Sequence, residues 1–491
     1  GDDDKALRSF LRAVDLLEQD RRKLRDEQGR GSFLEDKIEF YYPPVLHLLD
    51  LREYDQAFEL LERSRARAMA DLLASKPLSL GDAKEREAFA QAMELNARIG
   101  SLQKGLIDLR SAPDREKHTE AILEREKEVQ SLERRYRDLV ARMGRNAPKV
   151  RALLVAEPVS LRQLQEAAAR ERFDVLYYLV QESQIVLWHI GGDAVHVKSV
   201  FLPRSEVMHK VEALRRSLTD PTRPFDERTA RELFLFLIAP LQREVKTDRL
   251  VIIPHEDLHY LPFQALVDPG TGQYLGERLR LSYAPSATVL LGLRQAGALR
   301  GSRLFAAADP EIDRAPEEVA AIAKLFQAPS MPAPDRLIRE SEVKAQVRNH
   351  EVVHLSVHGV FDPTEPMLSH LKLRDGDAND GKLTVAEMFG LPLERADLVV
   401  LSACETGRAE ATHANEVLGM VRALFYAGAR ALVVSSWKVD AAVTAKWMEV
   451  FYHAAQTAPA GDAARQAMSA VKADPKSQHP YYWAAFSLVG R

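Results

Sequence analysis

The chain carries 491 residues, with 68 Lys and Arg against 72 Asp and Glu, a formal charge of −4, and a single cysteine. Near-neutrality gives no sign of a basic nucleic-acid face or an acidic tail, and one cysteine excludes an internal disulfide or a cysteine-based zinc cluster. No uncharged apolar run reaches the ~18–20 residues that cross a bilayer; the longest, around 281–293, falls short. With a lone thiol, this gives a soluble, cytoplasmic protein in a reducing compartment as the expectation. The acidic opening Gly1-Asp2-Asp3-Asp4-Lys5 is no secretory signal and reads as a tag remnant, with natural sequence continuing N-terminally. At ~100–200 residues per domain, the length allows two to four domains.

In chain order, residues 6–76 read as helix. Ala57, Leu60, Leu61 and Ala68 recur at helical spacing after Leu46, Leu48, Leu49 and Leu51, which suggests a helix–turn–helix pair. Such a pair resembles the last unit of a tetratricopeptide array, although three clean periods of ~34 residues are not found. A helical cap with no repeat identity is the other reading, and 1–80 forms the first region. Residues 81–148 follow as a charged helical hairpin. Leu95, Ile99, Leu102, Leu106 and Leu109 alternate steps of four and three, Pro113 breaks the run, and Ile122, Val129, Leu132, Tyr136, Leu139 and Met143 resume it. The flanking charges are most simply a solvated face.

Beyond residue 150 the period changes to that of strands. Short apolar runs at 175–180, 185–188 and 195–197 are split by turn signals. A helical stretch over 205–244 precedes Leu250-Val251-Ile252-Ile253-Pro254, and further strands are predicted at 303–307, 352–356, 398–402 and 431–435. Helices at 317–326 and 415–427 alternate with them. The alternation predicts an α/β fold with a mainly parallel sheet covered on both faces. Reactive residues in such sheets sit just past the carboxyl ends of strands.

Three chemistries are candidates. At two successive strand ends stand His358-Gly359 and Cys404, 46 positions apart (404 − 358). A thiol needs a base to become thiolate at neutral pH, and imidazole is that base. A single cysteine is commonly just a small buried apolar residue, but the paired strand-end placement favours a nucleophile. Second, His255-Glu256-Asp257-Leu258-His259 is a literal H-E-x-x-H, a zinc motif when helical. Pro254 and Pro262 bracket it, so a loop is predicted instead. Third, His354 and His358 share a spacing of four, which could suggest metal or, more simply, a core histidine supporting the site. No phosphate-binding glycine loop and no G-x-S-x-G elbow occurs.

From about residue 150 onward these motifs resemble the CHAT family of caspase-like cysteine peptidases, related to separase, the caspases and the gingipains. The residues that carry the resemblance are Pro254 with Leu258-His259-Tyr260-Leu261-Pro262-Phe263, Ser282-Tyr283-Ala284-Pro285-Ser286-Ala287, His358-Gly359, and Leu398 to Gly407 around Cys404. Gly428-Ala429-Arg430, Ser436-Trp437-Lys438-Val439-Asp440 with Thr444, and His479-Pro480-Tyr481-Tyr482-Trp483 complete them.

The resemblance implies a caspase-hemoglobinase-like α/β fold behind helices of the tetratricopeptide type, with a non-catalytic half at 149–300 and a catalytic half at 301–491. It implies Cys404 as nucleophile, His358 as general base, the N–H groups of Gly359 and Cys404 as oxyanion hole, and His354 and Glu405 in supporting places. Neither metal nor nucleotide enters the chemistry. Asp440 is either an S1 carboxylate for a basic P1 residue or a helix cap; Ala441 stands where the family commonly has a second acid. The implied function is a cysteine endopeptidase making limited cuts in protein substrates, in a bacterial regulatory or antiphage defence setting. A gasdermin-like pore-former or another effector would be the substrate, and the helical repeats would bind a protein regulator, with no direct nucleic-acid or membrane contact. The alternatives are a catalytically silent scaffold and a zinc metallopeptidase through His255 and His259.

Overall fold

The computed structural model describes residue 10, residues 38–74, parts of 124–135, and 158–490 apart from 294–297, 300, 327–328, 330, 332–335, 363–365, 377–378 and 403–413. Most of the expected hairpin at 81–148, and Cys404 with Glu405, lie outside the described residues. Two compact units divide near residue 161.

In the first unit, α1 (Tyr42–Asp50) and α2 (Tyr54–Ala74) form the expected helix pair. Arg52 takes a left-handed φ of 60° between them, and Glu53 N–H donates to Leu48 O at 2.9 Å, closing the first helix. Tyr42, Val45 and Leu48 are buried on α1, and Ala57, Phe58, Leu60 and Leu61 on α2. Leu51, expected inside, is 41% exposed because it sits in the turn.

The second unit is built on β1 (Asp174–Val180), β2 (Ile185–Ile190), β3 (Val195–Val200), β4 (Arg249–Ile253), β5 (Arg280–Tyr283), β6 (Leu304–Ala308), β7 (Val352–Ser356), β8 (Gly359–Val360), β9 (His370–Lys372), β10 (Lys382–Thr384), β11 (Leu398–Leu401), β12 (Ala431–Ser435) and β13 (Phe486–Gly490). Ten of them make one sheet in the order β3-β2-β1-β4-β5-β13-β12-β11-β7-β6, and β10-β9-β8 make a small antiparallel sheet. The large sheet is parallel except where β2 and β3 turn back from β1 and where β13 runs against β12. It crosses the expected boundary at residue 300 without a break, since β13 pairs with β5 through Val489 and Tyr283.

Around it lie α3 (Leu161–Glu171), α4 (Arg204–Leu218), α5 (Glu227–Leu237), α6 (Ala315–Ala323), α7 (Glu340–Gln346), α8 (Ala414–Tyr426), α9 (Ala441–Ala455) and α10 (Ala460–Lys472). The expected helix at 205–244 is two helices because Pro221 and Pro224 interrupt it, and Asp226 caps the second by accepting from Thr229 N–H. One continuous core joins Val352, Leu398, Val400 and Val433 of the strands to Val319 of α6 and Trp447 and Phe451 of α9. The alternate strand residues Val353, Leu355, Val399 and Leu401 are buried on the opposite face. Gly428 turns α8 into β12 with φ +112°, and a Cβ there would meet the Glu394 backbone at 2.9 Å, so only glycine fits.

Candidate active site

β7 is a run of Val352, Val353, His354, Leu355 and Ser356, all buried, which suits a central strand covered on both sides. β6 lies on one side and β11 on the other, both parallel to it. The carboxyl ends are drawn together by Ser402 N–H donating to Leu355 O (3.0 Å) and Asp309 N–H donating to Ser356 O (2.8 Å). His358 follows two residues beyond β7. Its carbonyl accepts from Lys372 N–H at 2.8 Å, so the main chain is held by the small sheet, while its Nδ1 is buried with no partner among the described residues. Gly359 pairs with Leu371. The Lys372-to-His358 bond makes this a non-hydrogen-bonded pair, so Gly359 N–H faces away from β9.

Between β7 and β11 the register offset is 46 at every pair, from Val352 with Leu398 to Leu355 with Leu401. That is also the interval between His358 and Cys404 in sequence. Cys404 and its neighbour Glu405 lie outside the described residues.

His354 is fully buried, and both ring nitrogens are engaged: Nε2 with Glu318 Oε1 at 2.9 Å and Nδ1 with Tyr452 Oη at 3.1 Å. Burial, and then the Glu318 charge, hold the Tyr452 phenol well above its ordinary value, so Tyr452 donates to Nδ1 and Nε2–H donates to Glu318. With no nitrogen left over, His354 is a core histidine tying β7 to α6 and α9. It is not a metal ligand. Glu318 and Tyr452 went unnoticed in the sequence, being 36 and 98 positions from their partner.

Asp440 is exposed and stands at the N-terminus of α9, where Oδ1 accepts from Ala442 N–H (2.9 Å) and Val443 N–H (3.1 Å). It therefore caps the helix. The H-E-x-x-H segment is not α-helical. His255 is extended and precedes a 3-10 turn, Glu256–Tyr260, that Glu256 enters at a φ of +51°. His255 Nδ1 accepts from Val180 N–H at 3.2 Å, and Glu256 pairs with Arg204 at 2.8 Å, so neither group is arranged as in a helical zinc site. No cluster of three or more potential metal ligands occurs among the described residues, and none of their helices is long and apolar enough to cross a membrane.

Asp309, directly after β6, also escaped the sequence reading. The strand-end rule that singled out His358 applies to it equally, and its Oδ2 is buried without a partner among the described residues.

Tetratricopeptide repeat protein 28 of Homo sapiens is 25% identical over 324 residues, covering 53% of this chain, and that of Mus musculus is 24% identical over the same length. The chain spans 13% of either relative. Two crystal structures of the Saccharomyces cerevisiae separase–securin complex resemble it at 10% identity with TM-scores of 0.46 and 0.43, covering 95% and 94% of this chain and 37% of the other. Residues 227–491, which hold β4 to β13, match the CHAT domain throughout. By that match over more than half its length, the chain belongs to the CHAT-domain family.

Proposed function

We propose that the protein is a cysteine endopeptidase in which Cys404 attacks the scissile carbonyl and His358 serves as its general base. His358 takes the proton from Sγ and later gives it to the leaving amine. Gly359 N–H and Cys404 N–H stabilise the tetrahedral oxyanion. The observation that supports this most is the constant offset of 46 between the paired strands β7 and β11, equal to the sequence interval between His358 and Cys404. His358 also brings to that edge a buried Nδ1 with no partner among the described residues. The substrates are proteins cut at a few sites, one of them a pore-forming or other effector, and the N-terminal helices receive a regulator.

As the chain's one thiol, Cys404 takes up a single equivalent of a thiol-directed inhibitor, which abolishes cleavage of a proteome-derived peptide library. Cys404→Ala removes cleavage in a folded protein, and His358→Ala lowers it by at least the ~10²–10⁴ that a general base supplies. Undiminished cleavage by folded Cys404→Ala sinks the mechanism. A parent that cuts nothing, with an unreactive Cys404, leaves the silent scaffold as the function.

A further inference from the structure

The small sheet carries a charge arrangement that its own packing does not explain. Its inner face is apolar, with Leu371, Leu373 and Leu383 at most 5% exposed. The pleat sends the alternate residues Lys372, Arg374 and Lys382 outward, and all three are exposed. β10 pairs with β9 so that Lys382 stands directly opposite Lys372. One position along, Leu373 N–H donates to Gly381 O at 2.7 Å, which makes the two lysines a non-hydrogen-bonded pair, the kind with the closer side chains. Like charges so placed repel and weaken the ladder that carries them.

Little around them offsets this. Lys372 reaches Glu311 only at 3.9 Å, with side chains 52% and 76% exposed, and such open pairs are screened by water. Lys382 and Arg374 make no ion pair among the described residues. Both N–H groups that β10 turns away from β9 are taken, Lys382 N–H by Asp380 Oδ1 (3.0 Å) and Thr384 N–H by Glu387 Oε2 (3.0 Å). That edge therefore templates no further strand, and the cationic face is the part left open. Leu368, 42% exposed, stands just ahead of β9, its carbonyl oxygen 2.9 Å from His370 Nδ1.

We propose that this face docks an acidic, extended segment of a partner protein, whose carboxylates at alternate positions meet Lys372 and Arg374 on β9 and Lys382 across from them. Residues two apart on a strand are ~6.6–6.8 Å apart, which is also the repeat of alternate side chains in an extended peptide. The exposed Leu368 adds apolar surface that suits a peptide. A nucleic-acid or lipid surface fits less well, because its dense phosphates would also meet the carboxylates of Glu311, Asp375 and Asp380 beside the cations. Lys372 N–H donates to His358 O at 2.8 Å, so a docked segment lies one strand away from the candidate base. The surface goes beyond the proposed chemistry and does not depend on Cys404.

Fluorescence anisotropy tests this with a labelled peptide of about twelve residues alternating Glu and Thr, set against its Gln counterpart and an oligouridine of similar length, with co-sedimentation on phosphatidylserine vesicles alongside. The Glu peptide is expected to bind more tightly than the other three probes and to weaken severalfold between ~50 and ~300 mM NaCl. Lys382→Glu turns the repelling pair into an attracting one. It is expected to melt no lower than the parent while binding the peptide at least ~5-fold more weakly, which separates docking from misfolding. Should Lys382→Glu not fold, Lys382→Gln is expected to show the same two signs at smaller size. Unchanged affinity in a folded variant, or a Gln peptide that binds as well as the Glu peptide, overturns the proposal. Preferential binding of the oligouridine or the vesicles overturns it too, and gives the face to nucleic acid or lipid.

Discussion

Asp440 is engaged by the helix that it precedes. Both of its hydrogen bonds go through Oδ1 to the first N–H groups of α9. They satisfy orphan donors and set a negative charge on the positive end of the helix. Losing such a cap costs ~1 kcal/mol, whereas Asn caps as well as Asp. Asp440→Ala is therefore expected to lower the unfolding free energy read from a urea titration by that much and Asp440→Asn hardly at all, with P1 preference in a peptide profile the same for both. A preference for Arg or Lys that Asp440→Asn selectively loses would give the carboxylate to the S1 pocket instead. At this scale the sequence was informative about placement along one strand, as for His358 and Gly359 just past β7. It was silent where chemistry follows packing. Nothing near His354 in sequence announces Glu318 or Tyr452, which reach it from α6 and α9.

Strands β6, β7 and β11 are clamped together at their amino ends. Arg303, just before β6, embraces Glu351, just before β7, through its own N–H (2.9 Å), Nε (3.1 Å) and Nη2 (2.8 Å). The Glu351 carbonyl in turn accepts from Asp397 N–H (2.7 Å) and Leu398 N–H (3.2 Å) at the start of β11. The Arg303 guanidinium holds the Glu351 carboxyl at about 2, below its ordinary 4.5. A carboxyl depressed on folding contributes stability above its unfolded value, and that contribution fades as pH falls from 4.5 toward about 2. Glu351→Gln should thus be less stable than the parent at pH 7, with the gap in unfolding midpoint narrowing below pH 4.5; a gap independent of pH would mean the charge plays no part. The clamped strands were also the legible ones, since β7 and β12 coincide with their apolar runs at 352–356 and 431–435. β13 was not legible. Its five residues follow an aromatic turn, and its pairing with β5 reaches from Val489 to Tyr283, 206 positions back (489 − 283), which no local pattern encodes. The two-to-three-residue strands β8 to β10 give no period at all.

Across the second unit, the sheet extends beyond the stretch that matches the CHAT domain. That match begins at residue 227, after β1, β2, β3, α3 and α4, yet β4 within it lies between β1 and β5. Four pairs from Asp174 with Leu250 to Tyr177 with Ile253 join β1 to β4. Asp174 Oδ2 also accepts from Lys246 N–H (3.0 Å), Thr247 N–H (2.7 Å) and Thr247 Oγ1 (2.8 Å), fixing the chain as it enters β4. Val207, Val211, Leu214 and Leu218 of α4 belong to the same core as Leu250 and Ile252. A fragment beginning at 227 would bare the β4 edge and part of the cover over Leu250, Val251, Ile252 and Ile253, all at most 5% exposed here. Burial of such side chains stabilises by ~1.5–3 kcal/mol each, and a whole domain holds only about 5–15 kcal/mol in reserve. An unpaired hydrophobic strand also templates association. The fragment 227–491 is therefore expected to aggregate or to elute as a protease-sensitive species. The fragment 158–491, which keeps β1 to β3 with α3 and α4, should be a cooperative, protease-resistant unit that retains iodoacetamide reactivity at Cys404. Equal solubility and equal melting of the two fragments would show that β1 to β3 are an appendage and not part of the sheet's foundation.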